Sequence, residues 1–390
     1  MTPARRRHLF LLGGTAESLV AFRGPFIREM LARDWRVTAS ADGDDKAAER
    51  ALKVMGADYT PAKLDRVGID PLGDAATILR LTGLLRRLRP DAFLGYTLKP
   101  ALYGVMAAKL AGVASRTAMI EGLGYAFGDG EETRRRLARL AAKALMRAVL
   151  PLATRIVVLN PDDERFVRQS RFVSASARLD RLAGIGVDLD RFAFTALPEA
   201  QPLTFIMISR LLRDKGVYDY VAAARAVRRV RPEARFILVG NLDSNPSSVQ
   251  TFEVEAWIKE GLIDYRGEQP DVAPHIRESH VLVLPSHDEG FPVTPMEAMA
   301  TGRPVIVTDV RGCREVVTHG EDGWLTPPKD AVALAATMIL AMTAPLATLG
   351  RAARRRAEIE FSDQTQACRL ADWVEETVPP PYPFAAANTD

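Results

Sequence analysis

Cysteine is scarce: Cys313 and Cys368 are the only two in 390 residues. Two thiols cannot staple a small secreted scaffold or build a four-ligand zinc cage, so the count points to a reducing compartment. Long apolar runs are missing as well. None reaches the ~18–20 residues that a membrane-spanning helix requires. The opening Arg5-Arg6-Arg7 with Leu9–Leu12 imitates a signal peptide, but it runs straight into Gly13-Gly14 and reads as a first buried strand. There is no G-x-x-x-x-G-K-[ST], no H-E-x-x-H, no paired C-x-x-C, and no G-x-G-x-x-G after a first strand. The five histidines, His8, His275, His280, His287 and His319, are scattered. Phosphate-loop hydrolysis, zinc chemistry and nicotinamide-dependent oxidoreduction all lack their usual residues. Asp42-Gly-Asp44 and Asp188-Leu-Asp190 have metal-binding spacing, but neither follows a strand, and Asp42-Gly reads as a turn, so no metal is expected.

What remains is ordinary globular material, 47% hydrophobic and 26% charged, long enough for two domains. The net charge of +3 hides an asymmetry. Residues 1–195 carry 32 Lys/Arg and 22 Asp/Glu, a net of +10, and residues 196–390 carry 20 and 27, a net of −7. Two halves with different partners follow, the first facing something anionic. Short apolar runs alternate with helical spacing, the mark of parallel sheets covered by helices. Strands are predicted at His8–Leu12, Arg36–Ser40, Ala92–Tyr96, Thr117–Glu121 and Arg155–Leu159, with helices at Pro25–Arg33, Ala75–Leu88 and Tyr103–Leu110. After a linker at Leu197–Pro202 the pattern restarts, with strands at Thr204–Ser209, Arg235–Gly240, Ile263–Tyr265, Val281–Pro285 and Pro304–Thr308, and helices at Tyr218–Val230 and Pro292–Ala300. The expectation is an α/β chain of two Rossmann-like domains, 1–196 and 203–360, with ligands held in a cleft between the carboxyl ends of their sheets. A helix over 361–378 returns to the first domain, and 379–390 forms a flexible tail.

The most informative segment is Pro285-Ser-His-Asp-Glu-Gly-Phe-Pro-Val-Thr-Pro-Met-Glu297. A strand ends, a glycine loop follows, and a proline suits the first turn of a helix. The orphan amides of that helix are a seat for a diphosphate. Glu289 in the loop and Glu297 in the helix, eight positions apart, can accept hydrogen bonds from the hydroxyls of a sugar or a ribose. Ser209-Arg-Leu-Leu-Arg-Asp-Lys-Gly216 follows the first strand of the second half, placing Arg210 and Lys215 at the carboxyl end of the sheet. Two fixed cations there neutralise a leaving diphosphate without a metal. Gly240-Asn241 and Gly267-Glu268-Gln269 follow strands at positions suited to a nucleotide base.

Together with Phe22-Arg-Gly-Pro25, Gly95–Pro100, Glu121-Gly-Leu-Gly-Tyr125 and Gly184-Ile-Gly-Val-Asp188, these segments resemble the retaining glycosyltransferases of family 4, which have the GT-B fold. The first half is similar to the branch that builds capsular, exopolysaccharide and lipid-linked glycans. The resemblance implies that Arg210 and Lys215 hold the diphosphate of a nucleotide sugar, with UDP the commoner donor. It also implies that Glu289 meets the donor sugar, that backbone amides at Gly290, Phe291, Val293 and Thr294 meet sugar and phosphate, and that Glu297 meets the ribose. Gly13 and Gly14, on the first strand–helix loop, border the donor from the other side, and Arg23, Lys99 and Glu121 lie on the acceptor side. Many relatives carry histidine where this chain has Glu121, which puts sugar preference there in question. The implied activity is transfer of a hexose-type sugar to a polyprenyl-diphosphate-linked glycan. A non-hydrolysing nucleotide-sugar epimerase of the same fold and an inactive membrane-surface binding module are the alternatives.

Arg135, Arg139, Lys143 and Arg147 recur every four residues, with Leu137, Ala141, Leu145 and Val149 at the same spacing and no acid between Arg134 and Arg147. A basic amphipathic helix of this kind lies on an anionic membrane surface; the same pattern also fits a solvated helix over the first core. Nucleic acid is not expected as a partner, because no aromatic residues interleave the cations for base stacking. The implied place of work is the cytoplasmic face of the plasma membrane, peripherally bound.

Overall fold

The computed structural model describes residues 5–64, 71–122, 133–170, 172–173, 178–199, 202–242 and 247–380. The tail beyond 380 and the Leu123–Tyr125 part of the Glu121 segment lie outside the described residues. The chain divides into two compact units, one of Met1–Val158, Asp163–Leu182 and Ala367–Asp390, the other of Leu159–Asp162 and Ala183–Gln366.

The first unit holds strands β1 (His8–Thr15), β2 (Arg36–Asp42), β3 (Asp58–Tyr59), β4 (Ala92–Tyr96), β5 (Ser115–Ile120), β6 (Arg155–Val158) and β7 (Leu179–Arg181). They form one parallel sheet in the order β3-β2-β1-β4-β5-β6-β7. Its helices are α1 (Ala16–Ala32), α2 (Lys46–Met55), α3 (Pro71–Leu88), α4 (Leu98–Ala111), α5 (Thr133–Val149) and α6 (Pro161–Gln169). Right-handed crossovers require α1 and α2 on one face and α3, α4, α5 and α6 on the other, because the chain reverses its direction across the sheet after β3. The core follows that rule: Phe10, Leu12, Phe93 and Ile120 of the strands pack with Leu85 of α3, Leu102 of α4 and Met146 of α5.

The junction of β1 and α1 departs from the sequence reading in two ways. Helix α1 starts at Ala16, and Pro25 lies inside it instead of opening it. Thr15 caps the start, its Oγ1 accepting from the Ser18 amide at 3.2 Å. Burial of Leu19, Phe26, Ile27 and Met30 against the sheet carries the helix through the proline. Because β1 runs on to Thr15, Gly13 and Gly14 sit in the end of the strand, at a register shift between Leu12 and Thr15, and not in a loop.

The second unit repeats the scheme with β8 (Thr204–Ile208), α7 (Val217–Val230), β9 (Arg235–Val239), α8 (Thr251–Lys259), β10 (Asp264–Tyr265), α9 (Ala273–Arg277), β11 (Val281–Leu284), α10 (Val293–Ala300), β12 (Val305–Thr308), α11 (Cys313–Val316) and β13 (Gly323–Thr326). The parallel order is β10-β9-β8-β11-β12-β13. Helices α12 (Ala331–Ala341) and α13 (Leu346–Glu360) complete it, and α14 (Asp363–Thr377) passes into the first unit from Ala367 onward. There Asp372 and Glu375 pair with Arg33 at 2.7 and 2.8 Å, and Glu376 pairs with Arg155.

Residues 183–196 pack with the second unit, although the sequence reading set its boundary after 196. Phe192 is buried in that core and Val187 pairs with Ser362. Arg303, fully buried, donates to the carbonyls of Thr195 at 2.7 Å, Ala196 at 3.1 Å, Arg277 at 2.8 Å and Ser279 at 2.8 Å. Carbonyl dipoles, not a carboxylate, satisfy this cation, and they pin the segment down.

Candidate active site

Strand order in the second sheet reverses between β8 and β11, and ligands of open α/β sheets bind outside the carboxyl ends at such a point. The loops leaving these two strands carry the residues singled out from sequence, and the fold forces them together. Gly216 ends the β8 loop at φ 75°, where a Cβ would come within 2.0 Å of the Pro285 carbonyl oxygen. No other residue fits that crossing. The His287 amide donates to the Asp214 carbonyl at 2.8 Å, stitching the two loops edge to edge.

Lys215 and Glu289 meet across this seam, Nζ to Oε1 at 2.7 Å, with side chains only 17% and 15% exposed. Ser286 Oγ donates to the same Oε1 at 2.8 Å. One carboxylate oxygen is therefore held twice, while Oε2 has no protein partner among the described residues. Lys215 keeps two further N–H donors for an anion. Arg210 is placed differently: its side chain is exposed, and its carbonyl accepts from the Leu212 amide at 2.8 Å. The structure brings Lys215 to Glu289 and does not bring Arg210 to either.

The Glu289-Gly290-Phe291 turn is held from both sides. Asn160, fully buried, donates through Nδ2 to the Gly290 carbonyl at 2.8 Å. Gly312 lies against the turn at φ 73°, where a Cβ would stand 2.5 Å from the Glu289 and Gly290 oxygens. Arg311 grips Asp288 with Nε at 2.5 Å and Nη2 at 2.6 Å, and His287 Nε2 lies 2.8 Å from Asp219 Oδ2. Phe291 stacks edge-on against Phe361 and closes over Gly184. Helix α10 then begins at Val293 with Pro292 at its cap, so the Val293 and Thr294 amides are first-turn donors with no intrahelical acceptor. Glu297, one turn further, is half-buried, and burial pushes its carboxyl up to about 7, with the charge of Asp271 adding to the rise and that of Arg191 opposing it.

The Gly240–Asn241 and Gly267–Gln269 loops, expected from the sequence to suit a nucleotide base, join the same edge. Gly240 accepts from Tyr265 Oη at 2.9 Å, and its amide donates to the Gly267 carbonyl at 2.9 Å. A Cβ on Gly240 would strike the Ser209 carbonyl at 1.8 Å. The Asn241 carbonyl accepts from the Leu211 amide at 3.1 Å. Gln269 turns back onto the Arg266 carbonyl at 2.5 Å, and Glu268 is exposed. Asp188 does not stand ready for a metal: its Oδ1 accepts from the Asp190 and Arg191 amides at 3.0 and 2.9 Å and caps a turn. A depression of about 230 Å³ lined by Arg225, Arg228, Arg229, Glu260 and Leu262 lies at the far end of α7, away from these loops.

The first sheet reverses between β1 and β4, and a second cluster forms there. Arg23 of α1, 2% exposed, stacks over the Tyr96 ring at 4.3 Å and pairs with Glu121 at the end of β5. Burial pulls its guanidinium down to about 10, still charged at neutral pH. Tyr96 Oη meets Ser18 Oγ at 2.7 Å, and Gly13 lies so close that a Cβ would stand 2.2 Å from Oη. Thr97 follows at φ 64° and ψ 159°, a conformation that L-residues avoid. Lys99 lies apart from this group, 3.4 Å from Asp74 and over the Tyr103 ring. Arg23 and Glu121, separate candidates in the sequence, are one ion pair, with Arg23 buried and Glu121 partly exposed. Sequence reasoning did not single out Ser18, Tyr96, Asn160 or Ser286, although two of them lay in segments it used, Tyr96 as the last residue of a predicted strand and Ser286 two residues after the end of β11.

Helix α5 turns its face differently from the spacing argument. Leu145 and Val149 pack on the first core, whereas Leu137 and Leu140 are 61% and 64% exposed. Lys143 and Arg147 are exposed, Arg139 is half-buried, and the Arg135 side chain lies outside the described residues.

A sequence profile of glycosyl transferases group 1 matches residues 202–343, and one of a glycosyl transferase 4-like domain matches residues 24–183. The chain is 26% identical over 334 residues to N,N'-diacetylbacillosaminyl-diphospho-undecaprenol alpha-1,3-N-acetylgalactosaminyltransferase of Campylobacter jejuni, covering 82% of this chain and 85% of that protein. It is 26% identical over 275 residues to UDP-Gal:alpha-D-GlcNAc-diphosphoundecaprenol alpha-1,3-galactosyltransferase of Escherichia coli, covering 67% and 69%. Among solved structures, Anabaena HepE in complex with UDP superposes with a TM-score of 0.75 at 18% identity, covering 95% of this chain and 100% of that one.

Proposed function

We propose that this chain, which belongs to the family 4 (group 1) retaining glycosyltransferases of GT-B fold, moves a hexose-type sugar from a UDP-linked donor to a polyprenyl-diphosphate-linked glycan in bacterial surface polysaccharide or glycoconjugate synthesis. The acceptor class is supported by two relatives whose names place their substrates on undecaprenol diphosphate, and the nucleotide by a fold relative that binds UDP. The observation that carries the reading is the Lys215–Glu289–Ser286 cluster at the reversal point of the second sheet.

In this reading the donor diphosphate lies against the free N–H groups of Lys215, the Arg210 guanidinium and the first amides of α10. Glu289 Oε2 accepts from a sugar hydroxyl, Glu297 from the ribose, and Gly240, Asn241, Glu268 and Gln269 border the base. The acceptor oxygen forms its bond to the anomeric carbon on the face from which the C–O bond to phosphate breaks. The hydroxyl proton passes to a phosphate oxygen, the nucleoside diphosphate leaves, and configuration is retained. No enzyme nucleophile and no metal take part; holding the reactants together and stabilising the growing phosphate charge supply the rate. Arg23 and Glu121, with Gly13 and Gly14 beside them, serve the sugar side of the first unit. The acceptor's lipid puts the enzyme at the cytoplasmic face of the plasma membrane, where α5 meets anionic headgroups.

A thermal-shift screen of nucleotide sugars tests the donor, with stabilisation by a UDP-sugar expected and by GDP-sugars not. Lys215→Ala and Arg210→Ala are each expected to lower kcat about 10²–10³-fold, as loss of a charge-stabilising donor does elsewhere. Wild-type turnover in both proteins would refute the phosphate assignment.

A further inference from the structure

The helices on the two faces of the first sheet differ sharply in charge. Helices α3, α4 and α5 hold eleven Lys/Arg and a single acid, Asp74, whereas α1 and α2 on the opposite face hold five Lys/Arg and three Glu. Only at the far edge, in α6, does the basic layer return to mixed charge.

The same layer exposes leucine. Leu72 and Leu79 on α3 are 85% and 67% exposed, Leu110 on α4 is 50% exposed, and Leu137 and Leu140 on α5 exceed 60%. On α3 the outward residues Leu72, Leu79, Gly83 and Arg86 follow helical spacing, and on α5 Leu137, Leu140, Ala144 and Ala148 do the same. Each stripe has cations along it: Arg80, Arg86 and Arg87 on α3, and Arg136, Lys143 and Arg147 on α5, all exposed. Between the two ridges α4 is almost wholly buried, reaching solvent at Lys109 and Leu110, where Arg86 donates to the Leu110 carbonyl at 3.1 Å.

We propose that α3 and α5 together form a bilayer-docking face, with the leucines of both helices inserted among the lipids and their cations on anionic headgroups. The charge decides between occupants. A second copy of this chain would bring the same excess of cations against itself, and an anionic lipid surface is the complement. Leucine above lysine and arginine is also the composition of helices that lie in an interface. The inference deepens the proposed reading, which needs the enzyme at a membrane, by making attachment two-sided and partly apolar instead of an electrostatic contact of α5 alone.

The test is co-sedimentation of the full chain with vesicles of phosphatidylglycerol and phosphatidylethanolamine, against vesicles of phosphatidylcholine, without donor or acceptor. Wild type is expected to bind the anionic vesicles at least tenfold better, and to keep a measurable fraction of that binding in 1 M salt, where charge attraction is screened beyond ~3 Å. Leu72→Gln/Leu79→Gln on α3 and Leu137→Gln/Leu140→Gln on α5 should each weaken binding about tenfold or more and abolish the salt-resistant part, with thermal midpoints unchanged. Wild-type binding by the α3 variant, equal binding to phosphatidylcholine, or a dimer in sedimentation equilibrium that both leucine pairs are needed to form would each overturn it. Since turnover is not measured, a protein that docks as expected but transfers no sugar refutes the proposed reaction and leaves the docking face standing.

Discussion

Glu297 offers the sharpest test of the proposed donor site because its protonation is set by the fold. A carboxyl pushed from the ordinary 4.5 to about 7 costs about 3 kcal/mol to ionise in place. The native state then binds more protons than the unfolded chain between those two values, so stability falls as pH rises. The contribution is fully present below pH 4.5 and lost by the time pH passes about 7. Glu297→Gln keeps the shape and removes the charge. It should leave the second unit's unfolding midpoint nearly unchanged at pH 5 and raise its stability at pH 8 by an amount of order 3 kcal/mol, read from urea denaturation. Binding has the opposite slope. Two ribose hydroxyls donate best to an ionised carboxylate, and at pH 5.5 only about 3% of a group titrating near 7 is ionised. Affinity for a UDP-sugar, whose diphosphate does not titrate in this range, should therefore rise about thirtyfold from pH 5.5 to 8.5 by calorimetry. In Glu297→Gln that slope should vanish. A flat wild-type profile, or an unchanged slope in the variant, would remove Glu297 from the ribose, whatever its effect on stability.

Three further outcomes are expected. Gly216→Ala and Gly240→Ala place a Cβ about 2 Å from a carbonyl oxygen, so both should unfold at markedly lower urea and lose turnover. Gly267→Ala, at φ 68° with nothing within 4 Å, should lose only ~1–2 kcal/mol from backbone conformation, and equal losses in all three would remove steric crossing as the cause. Glu121→Leu leaves the buried Arg23 guanidinium without its counter-charge and should destabilise the first unit by ~3–5 kcal/mol, while Glu121→Gln, which still accepts from Arg23, should lose much less; denaturation of the two variants side by side decides it. Thr97→Gly relieves a backbone conformation that costs of order 1–3 kcal/mol, so its thermal midpoint should rise, and a fall would show that Thr97 is unstrained.

The parallel sheets were readable because a strand buried on both faces has to be apolar at every position, as Leu9–Leu12 and Val281–Leu284 are. The strands that escaped, Asp58–Tyr59, Leu179–Arg181 and Gly323–Thr326, all sit at sheet edges, and the first two carry charge; their pairing with Thr38–Ala39, Ile156–Val158 and Val305–Thr308 comes from register, not from hydrophobicity. Pro25 misled for a related reason, since a local stop signal carries no information about the sheet on which the helix lies. The same divide runs through the site. Lys215 and Glu289 each follow a strand end, and any chain whose β8 and β11 are neighbours in a parallel sheet must bring the two loops together. Asn160, 130 residues before the Gly290 carbonyl it holds, has no such mark: one buried asparagine resembles another until the fold supplies its acceptor. For α5, spacing finds the cations but not the outward arc. Two apolar stripes run along the helix, and the one with Leu145, Met146 and Val149 packs on the core, whereas the other continues from Leu137 and Leu140 with only Ala144 and Ala148. The outward leucines, Leu137 and Leu140, are left in water, where each costs free energy unless something apolar covers it. Exposed leucine on a helix whose other face already fills the core is thus legible only once the sheet is assembled.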